Sequence, residues 1–211
     1  MNMYQLLERT AQTYPDNLYL VREGVKYKDF VDLVKARAAS LDKAGIKKGD
    51  VVGILSHNIP EFPISLFAIW YLGGTVLLLD TNLTPFEYEN MTATTKCKIV
   101  CAEKSFFFKT DKFTFYDITK KDGKINPDLK PAAVESLDYA TLSFTSGSTG
   151  KPKVVPLTHF NMVECTNSLE SMAEWIRPGD FLYGFLPMYH VFGFGVEILA
   201  TLHFGAGVLL Q

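Results

Sequence analysis

The chain has 211 residues, room for one large domain or two small ones, and 47% of them are hydrophobic, enough to bury a sizeable core. Twenty-one Lys and Arg stand against 23 Asp and Glu, for a net charge of −2, which excludes the basic footprint of a nucleic-acid binder. Three cysteines are too few for a disulfide framework; Cys97 and Cys101, in a strand-like C-K-I-V-C with no His nearby, read as buried thiols sharing one face, not as metal ligands.

In chain order, residues 1–9 are polar and lack the apolar core of a signal peptide. Leu6, Leu7 and Ala11 suit a short helix over 3–13, ended by Tyr14-Pro15. Residues 18–21 and 25–27 flank Glu23-Gly24, a hairpin signal. Phe30, Leu33, Val34, Arg37, Ala38 and Leu41 recur at helical spacing, predicting an amphipathic helix over 28–43 that Gly45 stops. Residues 51–55 form a short apolar run, the mark of a buried parallel strand. The uncharged stretch 62–79 just reaches membrane-spanning length. Gly73-Gly74-Thr75 divides it, however, so a helix over 60–72 and a strand over 75–79 fit better, and a soluble cytoplasmic protein is expected. Thr84 and Pro85 then open a helix as N-cap and first helical residue. Residues 98–102 read as a strand, so 50–103 alternates β-α-β-α-β and implies an α/β fold with a parallel, helix-covered sheet. A strand over 111–119 and a polar surface loop over 120–138 follow.

Residues 140–144 approach as a strand, and then six small residues stand in a row: Thr145, Ser146, Gly147, Ser148, Thr149 and Gly150. Lys151 and Lys153 follow, with Pro152 between them. The two glycines let a ligand come close to the backbone, and successive N–H groups there make a concave anion site. Four hydroxyls add donors, and Lys151 adds a compact positive charge. The guest that suits this loop best is a nucleotide polyphosphate. A Walker A loop is excluded, because Thr145 stands where that motif needs Gly and Pro152 where it needs Ser or Thr. A dinucleotide fingerprint fails for want of its first glycine. Downstream, a helix over 160–176, a strand over 181–186, a helix opened by Gly193 and Gly195 and running to 203, and a strand from 207 complete the pattern.

The run T-S-G-S-T-G-K-P-K followed by V-V-P-L-T-H resembles the phosphate loop of the adenylate-forming superfamily, which holds acyl-CoA synthetases, adenylation domains of peptide synthetases and beetle luciferase. Val154 departs from the Gly usual there. The segments G-D-V-V-G-I-L-S-H-N-I-P-E-F and Y-L-G-G-T-V-L-L-L-D-T-N-L-T-P resemble the first subdomain of that family, and P-x-x-H-x-x-G around His190 resembles its aromatic/histidine motif. The likeness implies that 1–138 is a first α/β subdomain and that 139–211 begins a second with the phosphate loop. The adenine-binding segment, hinge and C-terminal lid are absent, so the chain reads as an N-terminal portion that is inactive alone. It also implies that residues 145–151 hold the β- and γ-phosphates of ATP with Mg²⁺ bridging, and that Lys151 offsets charge on the leaving pyrophosphate. His190 would contact or gate the substrate carboxylate, and Tyr189, Phe192 and Phe194 would line the acyl pocket. No protein residue is assigned as a metal ligand. The other histidines, His57, His159 and His203, read as surface residues without a role.

The activity so implied is conversion of a carboxylic acid to an acyl-adenylate and then to a thioester, with CoA the usual acceptor. Amino-acid adenylation domains place an Asp after this loop to bind the amine, whereas the one acid between 188 and 211 is Glu197, inside a predicted helix. A fatty acid is therefore favoured, with an aryl acid or, as in an adenylation domain, an amino acid as the alternative substrates. The reading of another class is a non-catalytic nucleotide- or partner-binding module that keeps the fold.

Overall fold

The computed structural model describes residues 1–145, 153–172 and 174–210. Helix α1 (Met3–Thr13) leads into the hairpin β1 (Leu18–Leu20) and β2 (Val25–Lys26), then α2 (Tyr27–Lys43). A βαβαβ run follows: β3 (Val51–Leu55), α3 (Glu61–Tyr71), β4 (Thr75–Leu78), α4 (Pro85–Thr95) and β5 (Ile99–Ala102). After β6 (Thr114–Asp117) an irregular stretch leads to β7 (Tyr139–Thr145), β8 (Lys153–Thr158) and α5 (His159–Ser168). Strand β9 (Phe181–Gly184), α6 (Val191–Gly193), a π-type segment (Phe194–Ala200), α7 (Thr201–Phe204) and β10 (Gly207–Leu210) complete the described chain.

Two sheets carry these elements. One is six-stranded, ordered β6-β5-β3-β4-β7-β8, parallel throughout except for the antiparallel β7–β8 pair. The other is four-stranded, β2-β1-β10-β9, and joins the first hairpin to the last strands, with Leu20 opposite Val208. The sheets therefore do not divide at residue 138: β7 and β8 complete the sheet that β3 begins.

Strand alternation sorts the core of the larger sheet. Val52, Ile54, Val76, Leu78 and Cys101 face a layer built from α1, α2 and α3. Leu55, Leu77, Leu79, Val100 and Ala102 face α4 through Tyr88 and Met91. Helix α3 is apolar on every side, and every residue from Phe62 to Tyr71 is buried; such a helix needs cover all round, here protein. Among the described residues no helix is long and apolar enough to cross a membrane. Arg37 lies on the buried face of α2 at 2% exposure and is fully engaged. Its Nε reaches both Asp122 oxygens at 2.7 and 2.8 Å, Nη1 donates to Ser65 Oγ at 2.6 Å, and Nη2 to the Ile118 carbonyl at 2.8 Å. This fastens the start of the 118–138 stretch onto α2 and α3.

The start of α4 matches its sequence signal and adds a capping box: the Thr84 side chain accepts from the Glu87 N–H, and the Glu87 carboxylate accepts from the Thr84 N–H at 2.7 Å. Gly45 follows α2 with φ 98, a conformation open to glycine.

Two expectations fail. The helix predicted over 160–176 is α-helical over His159–Ser168 and continues only as a 3₁₀ turn, Leu169–Met172. Cys97 and Cys101 are both buried but face opposite layers; Lys96 turns the chain with φ 57, and β5 starts only at Ile99, so strand alternation does not reach Cys97. Val154, where the resembled family has Gly, lies in β8 opposite Phe144, an extended setting that suits a β-branched side chain.

Candidate active site

Strands β7 and β8 pair antiparallel on either side of the small-residue segment. Thr145 pairs with Lys153, so the end of β7 and the start of β8 stand side by side at one edge of the sheet. Ser146, Gly147, Ser148, Thr149, Gly150 and Lys151 lie outside the described residues. Thr145 is described; it ends β7 and lines a cavity of about 860 Å³.

The same cavity is lined by Tyr189, His190 and Val191 from the turn after β9. It lies beyond the carboxyl ends of β4 and β7, where open parallel sheets bind ligands. Leu78, Leu83, Phe86, Met91 and Phe144 give it an apolar wall, while Asp80, Glu87 and Asn90 add polar groups. Thr145 and His190, which the sequence proposed as parts of one site, are thus brought together.

His190 caps α6: its Nδ1 accepts from the Phe192 N–H at 3.4 Å, and its carbonyl accepts from the Phe194 N–H at 2.8 Å. With Nδ1 engaged as an acceptor, a neutral imidazole carries its proton on Nε2, a donor for an oxyanion. The His190 N–H bonds the Pro187 carbonyl at 3.0 Å and closes the turn. Gly193 packs so closely on this turn that a Cβ there would meet the Pro187 oxygen at 2.2 Å. The Tyr189 hydroxyl accepts from Thr81 Oγ1 at 3.1 Å and Asn82 Nδ2 at 3.4 Å, tying the turn to the loop after β4. Tyr189 also borders a second cavity of about 220 Å³ that includes His57 and Asn58.

The acyl-pocket expectations divide. Tyr189 lines the cavity. Phe192 is 63% exposed, and neither it nor Phe194 is among the described residues lining either cavity. Phe194 is a core residue, edge-on to Trp70 at 6.2 Å, because the helical run turns it inward.

The histidines expected at the surface also divide. His57 is exposed and contacts Glu103 at 3.0 Å. His159 is 1% exposed, with Nδ1 accepting from the Met3 N–H at 3.2 Å and its ring near Trp70. Burial lowers its pKa to about 4, so it is neutral at pH 7.

Sequence reasoning missed Asn58 and the environment of Glu197. Glu197 is 0% exposed in the π-type segment and reaches back to the turn, accepting from the Leu186 N–H at 2.8 Å. Burial raises its pKa to about 7, with the Leu186 N–H acting against the rise. The sequence signal was Glu197 as the one acid between 188 and 211; its partners were beyond local reading.

Comparison with known proteins gives a consistent result. The sequence matches the AMP-binding enzyme family over residues 7–211. The 4-coumarate–CoA ligase CCL1 of Humulus lupulus is 30% identical over 90% of this chain and 38% of its own length. The 4-coumarate:CoA ligase 1 of Petunia hybrida is 27% identical over 82% of this chain and 36% of its own length. The chain thus spans less than two fifths of these relatives. The long-chain-fatty-acid–CoA ligase FadD1 of Archaeoglobus fulgidus superposes with a TM-score of 0.87 at 18% identity, over 100% of this chain and 46% of that one. The o-succinylbenzoate CoA synthetase MenE of Bacillus subtilis, in complex with the acyl-adenylate intermediate OSB-AMP, gives 0.85 at 24% identity, over 100% and 56%. At these identities the superpositions establish the fold, an α/β N-terminal domain of adenylate-forming enzymes, and the sequence match extends the assignment to descent: the chain belongs to the AMP-binding enzyme family.

Proposed function

We propose that the protein carrying this chain activates a carboxylic acid with ATP. A carboxylate oxygen attacks the α-phosphorus, the bond to pyrophosphate breaks, and an acyl-adenylate forms; a thiol, CoA in this reading, then takes the acyl group and releases AMP. The observation that carries the reading is that Thr145, at the mouth of the small-residue loop, and His190 line one cavity. In that arrangement the loop, with Lys151, holds the polyphosphate and offsets the charge of two approaching anions. The Nε2–H of His190 donates to an oxygen of the carboxylate or α-phosphate.

Mg²⁺ would accompany ATP and offset phosphate charge. Among the described residues no three His, Cys, Asp or Glu side chains converge on a metal-sized site. The proposed acid has no α-amine and has a largely apolar body. Glu197 is turned to Leu186 and lies outside the described lining of both cavities, so it is no amine anchor. The cavity wall is mainly apolar. Relatives named for a long-chain fatty acid and for the aryl acid 4-coumarate fit both kinds. Because the chain spans 38% of a curated relative, the 211-residue chain is proposed not to turn over by itself.

The test is exchange of labelled pyrophosphate into ATP over a panel of fatty, aryl and amino acids, by this chain and by a longer protein carrying it. Exchange by the longer protein with fatty or aryl acids is expected. Nucleotide binding without exchange for any acid would replace the reading with a non-catalytic module.

A further inference from the structure

The turn that carries Tyr189 and His190 is held by two side chains from different parts of the fold, half-buried Asn58 and buried Glu197. Asn58 follows β3 in the six-stranded sheet, and the turn leaves β9 in the four-stranded sheet. Asn58 Nδ2 donates to the Leu186 carbonyl at 2.6 Å. Its second hydrogen is shared between the Gly184 carbonyl at 3.3 Å and Glu197 Oε2 at 3.2 Å. Asn58 Oδ1 accepts from the Met188 N–H at 3.0 Å. Glu197 Oε1 accepts from the Leu186 N–H at 2.8 Å. The main-chain groups of the turn at residues 184, 186 and 188 are thus gripped by two side chains that also bond each other.

This arrangement exceeds what packing requires. A carboxylate at 0% exposure is costly, and a plain core position would take an apolar residue. Glu197 is kept there in a π-type segment, a helix geometry often found at functional sites. The segment begins at Phe194, whose N–H bonds the His190 carbonyl, so Glu197 and His190 belong to one continuous hydrogen-bonded run. Burial favours the protonated form of Glu197, while the Leu186 N–H favours the charged one.

We infer that Asn58 and Glu197 are positioning residues: they clamp the Gly184–Met188 backbone across the two sheets and so fix where Tyr189 and His190 stand in the cavity. The inference rests on the reading of that cavity as an acid-activating site. Neither side chain is given a role at the reacting atoms; each acts through the turn.

Two measurements test it. In the 211-residue chain, amide hydrogen exchange by NMR reads the clamp without any activity. Asn58→Ala is expected to speed exchange at Met188, and Glu197→Leu, which leaves no acceptor, at Leu186, each by about tenfold or more, with the amides of Val76 and Val208 unchanged as a check that the sheets stay folded. Unaltered exchange at Leu186 and Met188 would overturn the clamp. In a longer protein carrying the chain, the same variants are expected to lower kcat for pyrophosphate exchange about tenfold while the KM for ATP stays within twofold. A merely structural role would lower the melting temperature and leave kcat of the folded fraction alone, and that outcome would overturn the positioning role. Absence of exchange by the unsubstituted longer protein would count against the proposed function, while the amide data would still decide whether the clamp exists.

Discussion

Gly193→Ala is the substitution most diagnostic of the His190 turn. Gly193 has ordinary helical angles, φ −60 and ψ −42, so alanine costs nothing in backbone conformation. The cost comes from space: a Cβ would sit 2.2 Å from the Pro187 oxygen, 2.8 Å from its carbonyl carbon and 3.1 Å from the Leu186 carbonyl carbon. All three are backbone atoms, so no side chain can swing aside; the turn itself must retreat by roughly 1 Å to reach van der Waals contact. Overpacking of this kind costs about 2 kcal/mol, or roughly 4–8 °C in melting temperature for a chain of this size. Gly195, two residues on, is the control, since a Cβ there would meet nothing within 4 Å. Gly195→Ala should therefore be neutral or stabilise by up to about 1 kcal/mol. Urea unfolding of both variants reads the difference directly. In a longer active protein, displacing His190 by about 1 Å should cost on the order of 100-fold in rate. A Gly193→Ala chain as stable as Gly195→Ala would refute the close packing of α6 on the turn.

Other substitutions probe further parts of the account. His159 has a lowered pKa, about 4 against 6.5, so its contribution to stability is complete above pH 6.5 and is lost as pH falls toward 4. Glu197 has a raised pKa, about 7 against 4.5, so its contribution is complete below pH 4.5 and is lost as pH rises toward 7. Each shift corresponds to about 3 kcal/mol, and between pH 4.5 and 6.5 the two trends oppose. Urea unfolding across pH should show, relative to the unsubstituted chain, a steeper loss toward pH 7 in His159→Gln and a steeper loss toward pH 4 in Glu197→Gln; parallel profiles would contradict both assignments. Thr84→Ala removes the capping box of α4, the helix that walls the cavity, and should cost about 1 kcal/mol in the same assay. Burial pushes the thiols of Cys97 and Cys101 up to about 12, whereas Cys165 is exposed. A disulfide reagent should therefore titrate one thiol quickly in the native chain and three after denaturation; fast reaction of two would contradict the burial of the pair.

Much of the fold was legible because its signals are local. The Thr84-Pro85 start of α4, the stop at Gly45, the division of 62–79 at Gly73-Gly74 and the βαβαβ alternation each depend on a few neighbouring residues, and each appears in the structure. Pairing between distant segments was not legible. Nothing near Leu20 announces that its partner is Val208, and nothing in β8 announces that it returns antiparallel to β7. The same limit governed the site. Thr145 and His190 stand in motifs that signal themselves, and they line one cavity. Asn58 and Glu197 carry no local mark, because what defines them is the turn they both hold. His159 was misplaced at the surface because its burial depends on Met3 and Trp70, far away in the sequence. Phe194 was misassigned to the pocket because the pattern predicts a helix without fixing which face turns inward.

The central claim is that a carboxylate oxygen becomes bonded to the α-phosphorus of ATP in this site. Oxygen transfer measures that bond directly. A longer protein carrying this chain would be given an ¹⁸O-carboxyl-labelled fatty or aryl acid, ATP and CoA, and the nucleotide product analysed by mass spectrometry. The account predicts AMP carrying one ¹⁸O and unlabelled pyrophosphate. Unlabelled AMP, or label in inorganic phosphate with ADP as the nucleotide product, would contradict it.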